Sequence, residues 1–252
     1  HGTDGKACRP AGFRNSSLLL MNKQLLTLLA ALVFTVTGRA ADEIPGPLAE
    51  KGELLFADEF ERDGLGRWKV VIPGFKVADG VLVATQDRDD HGSVGRVHLP
   101  MRDVVMSFRF KLAGSPTFNV VFDDKKHQGS HAGHICRVAF AMRQIRLGDD
   151  KEGIMRNDIF KMRRDAAQKD AAEKLLEGRG SKVKANLESE RWYTATIEIF
   201  GDQMRVSLDG QAVGYLRSPG LAHPTKESVH FTVSGKAAHF DDVKIWRAQA
   251  KQ

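Results

Sequence analysis

Along most of the chain apolar residues recur at every second position, the period of a strand with one buried face. The pattern is clearest over 191–213. Trp192, Thr194, Thr196, Glu198 and Phe200 alternate there with Tyr193, Ala195, Ile197 and Ile199, and Gly201-Asp202 then reverses the chain. Met204, Val206 and Leu208 alternate with Gln203, Arg205 and Ser207 in a second strand. Asp209-Gly210 follows, and this dipeptide suits the positive φ that a type I′ hairpin needs at both central residues. The segment predicts a three-stranded β-meander.

The same rhythm runs upstream. Strands over 75–78 and 81–85 flank a second Asp-Gly, and further strands are expected over 95–99 and from Val104 to Leu112. Beyond the Gly114-Ser115-Pro116 turn come strands over 117–122 and 135–142, with 144–150 as the partner of the last. Strands spaced about 8–12 residues apart with turn residues between them predict an all-β sandwich. One stretch breaks the alternation. Residues 156–177 (RNDIFKMRRDAAQKDAAEKLLE) are rich in Ala, Lys, Glu and Leu and end at Gly178. They predict a helix of about three to five turns, capped by Asn157 or Asp158. Its weak apolar stripe (Ile159, Met162, Ala166, Leu175, Leu176) would lay it against the sandwich, with its charged side toward solvent or a protein partner.

The first forty residues follow another logic. Met21-Asn22-Lys23 opens a short cationic stretch, an apolar run extends from Leu25 to Val36, and Gly38-Arg39-Ala40 has small residues where a signal peptidase reads. This is the pattern of a secretory signal peptide over 21–40, and the run is short of the roughly 20 apolar residues of a membrane span. Residues 1–20 are expected to be an upstream extension, 41–50 a tether with Pro45 and Pro47, and 51–249 a single domain. A signal-anchor with a cytoplasmic arm is the rival reading of the N-terminus. Charge changes meaning accordingly. Residues 1–40 carry five of the 38 basic and one of the 32 acidic residues, so the overall +6 falls to +2 without them. That is no nucleic-acid footprint. The signal peptide predicts a secreted or periplasmic (cell-envelope) location, and Cys136 is then the sole cysteine, so the exported chain has no internal disulfide and relies on its core.

"RWYTATIEIFGDQMRVSLDGQAVGYL" together with "VHFTVSGKAAHFDDVKIWRA" resembles the closing half of a concanavalin A-like jelly-roll domain. Within that superfamily the chain is similar to the bacterial 3-keto-disaccharide hydrolase-like domain and, more distantly, to glycoside hydrolase family 16. The resemblance implies a two-sheet jelly-roll β-sandwich acting on carbohydrate in a cleft on its concave sheet. Two departures bear on activity. The Glu-x-Asp-x-x-Glu strand of family 16 has no counterpart here. The Asn-Ser-Gly…Arg segment common in the keto-disaccharide group is matched only at Asn119, with Arg137 downstream.

Candidate chemistry gathers in the loop from Asp123 to His134. His127, His131 and His134, with Asp123 and Asp124, offer ligands to a divalent transition metal, or an acid/base histidine, or a sugar-binding loop; a solvated loop is the plain alternative. No cofactor fingerprint is present. If 134–142 folds back on 144–150, His134 would stand beside Asp149 or Asp150, whose carboxylate would orient its ring. His131, His134 and Asp150 are therefore the candidate proton-transfer groups, and Asn119, Arg137 and Asp123 the candidate substrate ligands. Asp58, Glu59 and Glu61 read as turn and edge residues or as paired catalytic carboxylates. Asp87, Asp89 and Asp90 lack the Gly and distal Glu of a calcium loop. Cys136, between Ile135 and Arg137, reads as a buried thiol rather than a nucleophile. Trp68, Trp192 and Trp246 suit sugar stacking or core packing. A non-catalytic glycan-binding module and a cell-envelope scaffold using the 156–177 segment are the alternatives to an enzyme.

Overall fold

Alternation along the sequence becomes two antiparallel sheets in the computed structural model, which describes residues 44–252. The extension expected over 1–20 and the signal peptide over 21–40 lie outside the described residues. One sheet holds β1 (Glu50–Asp58), β3 (Phe75–Ala78), β4 (Val81–Ala84), β6 (Val104–Lys111), β11 (Tyr193–Phe200), β12 (Gln203–Leu208), β13 (Gln211–Arg217) and β15 (Ala238–Gln249). Its order is β13-β12-β11-β6-β15-β4-β3, with β1 also paired to β15. The other holds β2 (Lys69–Ile72), β5 (Ser93–Met101), β7 (Thr117–Asp123), β8 (His134–Ala141), β9 (Gln144–Asp149), β10 (Gly180–Lys184) and β14 (Lys226–Ser234). Its order is β10-β9-β8-β7-β14-β5-β2. The architecture is the expected jelly-roll β-sandwich.

Period-two patterning decides what meets between the sheets. Phe108, Phe110 and Phe240 from the first sheet interleave with Phe118, Phe140 and Phe231 from the second, all fully buried. Phe231 and Phe240 stack with centroids 4.0 Å apart, and Trp68 stacks on Phe231 at 5.2 Å. Each such side chain contributes on the order of 1.5–3 kcal/mol by leaving water. The turns obey their residues. Asp79 and Gly80 sit at φ 52° and 70°, Asp209 and Gly210 at 48° and 80°, as a type I′ turn requires. Asp58 is a structural residue: its carboxylate accepts from Phe60 N at 2.9 Å and Trp68 Nε1 at 3.1 Å and pairs with Arg62.

Three expectations change. The helix over 156–177 is two short helices, α1 (Asn157–Met162) and α2 (Lys169–Leu175). Asp165 breaks it, because its carboxylate accepts from Ala167 N at 2.9 Å and from the Gln168 amide at 2.6 Å, local bonds that compete with helix continuation. Neither Asn157 nor Asp158 acts as the N-cap: Arg156 precedes α1, and the Asn157 amide donates instead to Gln128 O at 2.7 Å. The tether, where described, is docked rather than free. Pro45 O accepts from Arg205 Nε at 2.9 Å and Leu48 N donates to Glu198, over a buried Arg205–Glu198 pair at 2.7 Å. Among the described residues no helix is long and apolar enough to cross a membrane.

Candidate functional site

Strand register sets which side chains share the outer face of the second sheet. Phe118, Val120 and Phe122 of β7 point into the core, so Asn119, Val121 and Asp123 point away from it. Pairing with β8 runs regularly from Thr117↔Ala141 to Phe122↔Cys136, then slips by one residue so that Asp123 stands opposite His134. This β-bulge turns the His134 ring to the face of Asp123. Ser228 of β14 flanks Asp123 on the other side. One row along, Arg96, His230, Val121, Arg137 and Gly148 line up across five strands. Thr232, Asn119, Ala139, Arg146 and Lys182 form the next row.

Asp123 is the hub of the first two rows. It is fully buried; Oδ1 lies 2.6 Å from His134 Nδ1, and Arg96 Nη2 donates to Oδ2 at 2.9 Å. His230 Nδ1 comes within 2.8 Å of Oδ2 but off the line of a hydrogen bond, so it is a close polar contact and no more. Burial alone would raise the Asp123 carboxyl; the His134 bond and the His230 contact outweigh it and hold the group well below the usual carboxylate range. Such a carboxylate only accepts, so His134 Nδ1 is the donor, and in the neutral ring the lone pair falls on Nε2. His134 keeps 16% of its side chain exposed. His230 is nearly fully buried, and that burial lowers its proton affinity against the pull of Asp123.

Arg137 and Asp150 make the second buried pair. Arg137 Nε donates to Asp150 Oδ2 at 2.6 Å, while Arg137 Nη2 and Asp150 Oδ1 have no protein partner. Burial pushes the Asp150 carboxyl up, and Arg137 offsets only part of that. Beyond Arg137 lies a groove of about 330 Å³ between β8–β10 and the helical insertion. Arg137, Ala139, Arg146 and Gly148 form its floor, Ile154, Arg163 and Leu176 its wall, and Asn119, Arg179 and Lys182 its edges. The insertion also grips the histidine loop. His131 N donates to Met155 O at 2.7 Å, and the His131 ring stacks on Phe160 at 4.2 Å.

The structure thus brings His131, His134, Asp123, Arg137, Asp150 and Asn119 to one face, but not in the expected pairs. His134 takes Asp123, not Asp149 or Asp150. Asp149 stands opposite Cys136 and faces the interior, where Ser218 Oγ at 2.6 Å and Gly220 N at 2.9 Å donate to it. Asp150 is committed to Arg137. Asp123, expected to touch substrate, has both oxygens engaged inside the protein and orients His134 instead. His131 and His134 rings are 6.3 Å apart. His127 lies elsewhere, edge-on to His223 at 5.0 Å, so the loop histidines do not converge on one ion. Asp123, His134 and His230 do present three ligand atoms within 4.8 Å of one another. A cation there would compete with the Arg96 guanidinium for Asp123. Sequence reasoning missed Arg96 and His230 as site residues, and Arg146, Arg163, Arg179 and Lys182 as groove residues. Trp68 is core, while Trp192 lies beneath Arg109 on the other sheet, 4.9 Å from its guanidinium.

Comparison with known proteins supports the architecture. No protein-family model and no curated protein matches the sequence. Among solved structures, a laminarinase from Rhodothermus marinus superposes with a TM-score of 0.54 at 14% identity, covering 80% of this chain and 99% of that one. The carbohydrate-binding module CBM66 from Bacillus subtilis gives 0.50 at 12% identity, over 71% of this chain and 95% of the module. A sialidase gives 0.55 at 14% identity over 81% of this chain, which spans only 19% of the sialidase. At such identities the likeness is one of fold: the chain is a jelly-roll sandwich of the kind these proteins share.

Proposed function

We propose that this chain is an exported bacterial carbohydrate-active protein that cleaves a glycoside on the outer face of its seven-stranded sheet, with His134 as the proton-transfer group. The observation that carries the reading is the buried Asp123–His134 pair at 2.6 Å beside a groove holding Arg137 and Asn119. Asp123 fixes the His134 tautomer, so Nε2 is the base. Arg137, positioned by Asp150, and Asn119 would hold the sugar, and His131 would border the entrance on the Phe160 side.

An oxidised sugar suits a site with one imidazole and no free carboxylate pair. A 3-oxo group acidifies the hydrogen on C2. His134 Nε2 takes that proton, the C2–H electrons form the enolate, and the enolate expels the C1 oxygen of the leaving group. His134 returns its proton to that oxygen, and water then adds across the C1–C2 double bond to complete a net hydrolysis. Arg137 would stabilise the enolate oxygen electrostatically. This is the 3-keto-glycoside reading that the sequence resemblance implied. Turnover on 3-keto-glycosides and on their unoxidised parents tests it. Cleavage of the keto compounds alone is expected, falling about 10²–10⁴-fold in His134→Ala and less in His131→Ala. Unaltered turnover in His134→Ala would sink the assignment, and loss of activity with a chelator would move the chemistry to an ion at Asp123, His134 and His230.

One observation favours a second reading. Asp123 and Asp150 are both tied to internal cations, which leaves no carboxylate free in the groove. A non-catalytic glycan-binding module would show saturable binding without product. The scaffold reading remains with the insertion: removing 156–177 would then abolish a protein partner.

A further inference from the structure

We infer that the groove beneath the helical insertion selects an acidic saccharide, one bearing carboxylate or sulfate groups; the inference rests on the carbohydrate-active reading and names its substrate class. The observation is an excess of unmatched positive charge in a small recess. Arg137, Arg146, Arg163, Arg179 and Lys182 all line the groove, and its single acidic residue is Asp149. Asp149 is buried and already accepts from Ser218 Oγ, Gly220 N and Glu152 N, so it offers the groove no counter-charge. Arg137 is matched by Asp150, and Arg163 has Glu173 only at 3.8 Å. Among the described residues Arg146, Arg179 and Lys182 have no carboxylate within ion-pair distance; Arg179 reaches no closer partner than Ser218 Oγ at 3.4 Å.

The sheet register makes this arrangement costly without a ligand. Arg146 of β9 stands directly opposite Lys182 of β10. Like charges facing each other across a strand pair destabilise it. Their row continues through Ala139 and Asn119, so a short side chain and an amide lie beside the two cations. In the adjacent row Gly148 faces Gly180, which leaves the floor between Arg137 and Arg179 free of side chains. An anionic group can therefore settle against the strands and be met from several sides. The fork of an arginine matches the oxygens of a carboxylate or a sulfate ester, which a hydroxyl does not replicate. The fold places this recess one strand row from His134, so an acidic ring held there would extend the chain of sugars away from the imidazole. Groups of this kind raise affinity through charge, so salt must weaken the binding.

The test is calorimetric titration of the full chain with three saccharides of equal length: an oligogalacturonate, a sulfated galacto-oligosaccharide and a neutral laminari-oligosaccharide. Inorganic sulfate and a single-stranded oligonucleotide serve as further ligands. The expected result is binding of one or both acidic saccharides at least tenfold tighter than the neutral one, weakening as salt rises. Whichever acidic ligand binds names carboxylate or sulfate as the source of the charge. Arg146→Gln/Lys182→Gln removes two exposed cations, relieves their mutual repulsion and should leave the unfolding midpoint unchanged or higher. It should weaken acidic binding by about tenfold or more, the factor a single charge-assisted hydrogen bond supplies. Lys76→Gln/Lys236→Gln removes the same charge elsewhere on the surface and should leave binding as it was. Neutral saccharide bound as tightly as acidic overturns this inference alone. Sulfate ion or oligonucleotide bound as tightly as the saccharides, or equal weakening by both double variants, also overturns it. No saccharide bound at all overturns the carbohydrate reading with it.

Discussion

Replacing Asp123 with Asn keeps the shape of the side chain and removes its charge, so it isolates what that charge does. In the native protein Arg96 Nη2 donates to Asp123 Oδ2 at 2.9 Å, with 9% of the arginine side chain and none of the aspartate exposed. A guanidinium cannot shed its proton at any accessible pH. Asp123→Asn therefore leaves a buried positive charge uncompensated, and the cost of breaking such a pair is about 3–5 kcal/mol. No cavity forms, so no packing loss adds to it. For a domain of this size that corresponds to a fall in melting temperature of about 6–20 °C. Arg96→Met should cost less, because Asp123 keeps its hydrogen bond with His134 at 2.6 Å.

The pH dependence carries an independent sign. Asp123 has a folded pKa held below the unfolded value of about 3.9, through His134 and His230 and against its burial. Its ionisation therefore stabilises the fold at all pH above about 4, and that contribution is lost as pH falls through the depressed folded value. Asp123→Asn should flatten this acid limb while lowering stability at neutral pH. Guanidinium unfolding of both proteins at pH 7, and thermal scans from pH 7 down to 3, read the two effects. A loss under about 1 kcal/mol, the range of a solvated surface pair, would show that the Arg96–Asp123 contact is not desolvated and would refute the argument. So would an acid limb of unchanged steepness.

Further consequences are testable on the same protein. Cys136 is fully buried and its thiol is pushed well above its ordinary range by desolvation, so iodoacetamide should label it only after denaturant unfolds the sandwich; prompt labelling of the native chain would contradict that burial. Gly210 sits at φ 80° with no atom within 4 Å of an added Cβ, so Gly210→Ala should cost about 1–2 kcal/mol from backbone strain alone, and a neutral result by urea unfolding would contradict the type I′ turn. Arg205→Met strips Glu198 of its buried partner and frees the Pro45 carbonyl; amide exchange at Leu48 should accelerate, and unchanged protection would mean that the N-terminal segment is held by something else.

The sheet framework was legible because its signals are local. Asp79-Gly80 and Asp209-Gly210 dictate their own φ values, and the alternation of β6 or β11 separates core from surface without knowledge of any partner. β10 was not legible, since its five residues Gly180–Lys184 contain one apolar side chain, Val183, and it becomes a strand only because β9 offers it an edge. The break between α1 and α2 was hidden for a related reason. Asp165 is an ordinary helix-surface residue by composition, and its turn-forming bonds to Ala167 and Gln168 outweigh one more helical turn.

The site failed in the sequence at one residue of register. Counting by twos along 134–142 and 144–150 leads to a His134–Asp150 neighbour pair, and the hairpin itself is correct, with Cys136 opposite Asp149. The β-bulge at the start of β8 adds one residue on that strand alone, and a slip of one exchanges the faces of everything beyond it. His134 thereby turns to the outer face and bonds to Asp123, eleven positions earlier, while Asp150 on the same face is taken by Arg137. Arg96 and His230 were hidden differently. Each is a polar residue between apolar neighbours, Gly95 and Val97 for one, Val229 and Phe231 for the other, and a strand with a wet outer face would contain both. What makes them part of a site is that β5, β14, β7 and β8 lie side by side, and that the face they share is dry enough to bury an arginine, a histidine and an aspartate together. A buried charge must find its partner across strands, so the signal available in sequence was weak but real: Arg96 and His230 stand where alternation alone would accept any small polar residue, and only a committed counter-charge such as Asp123 explains why they are large and ionisable.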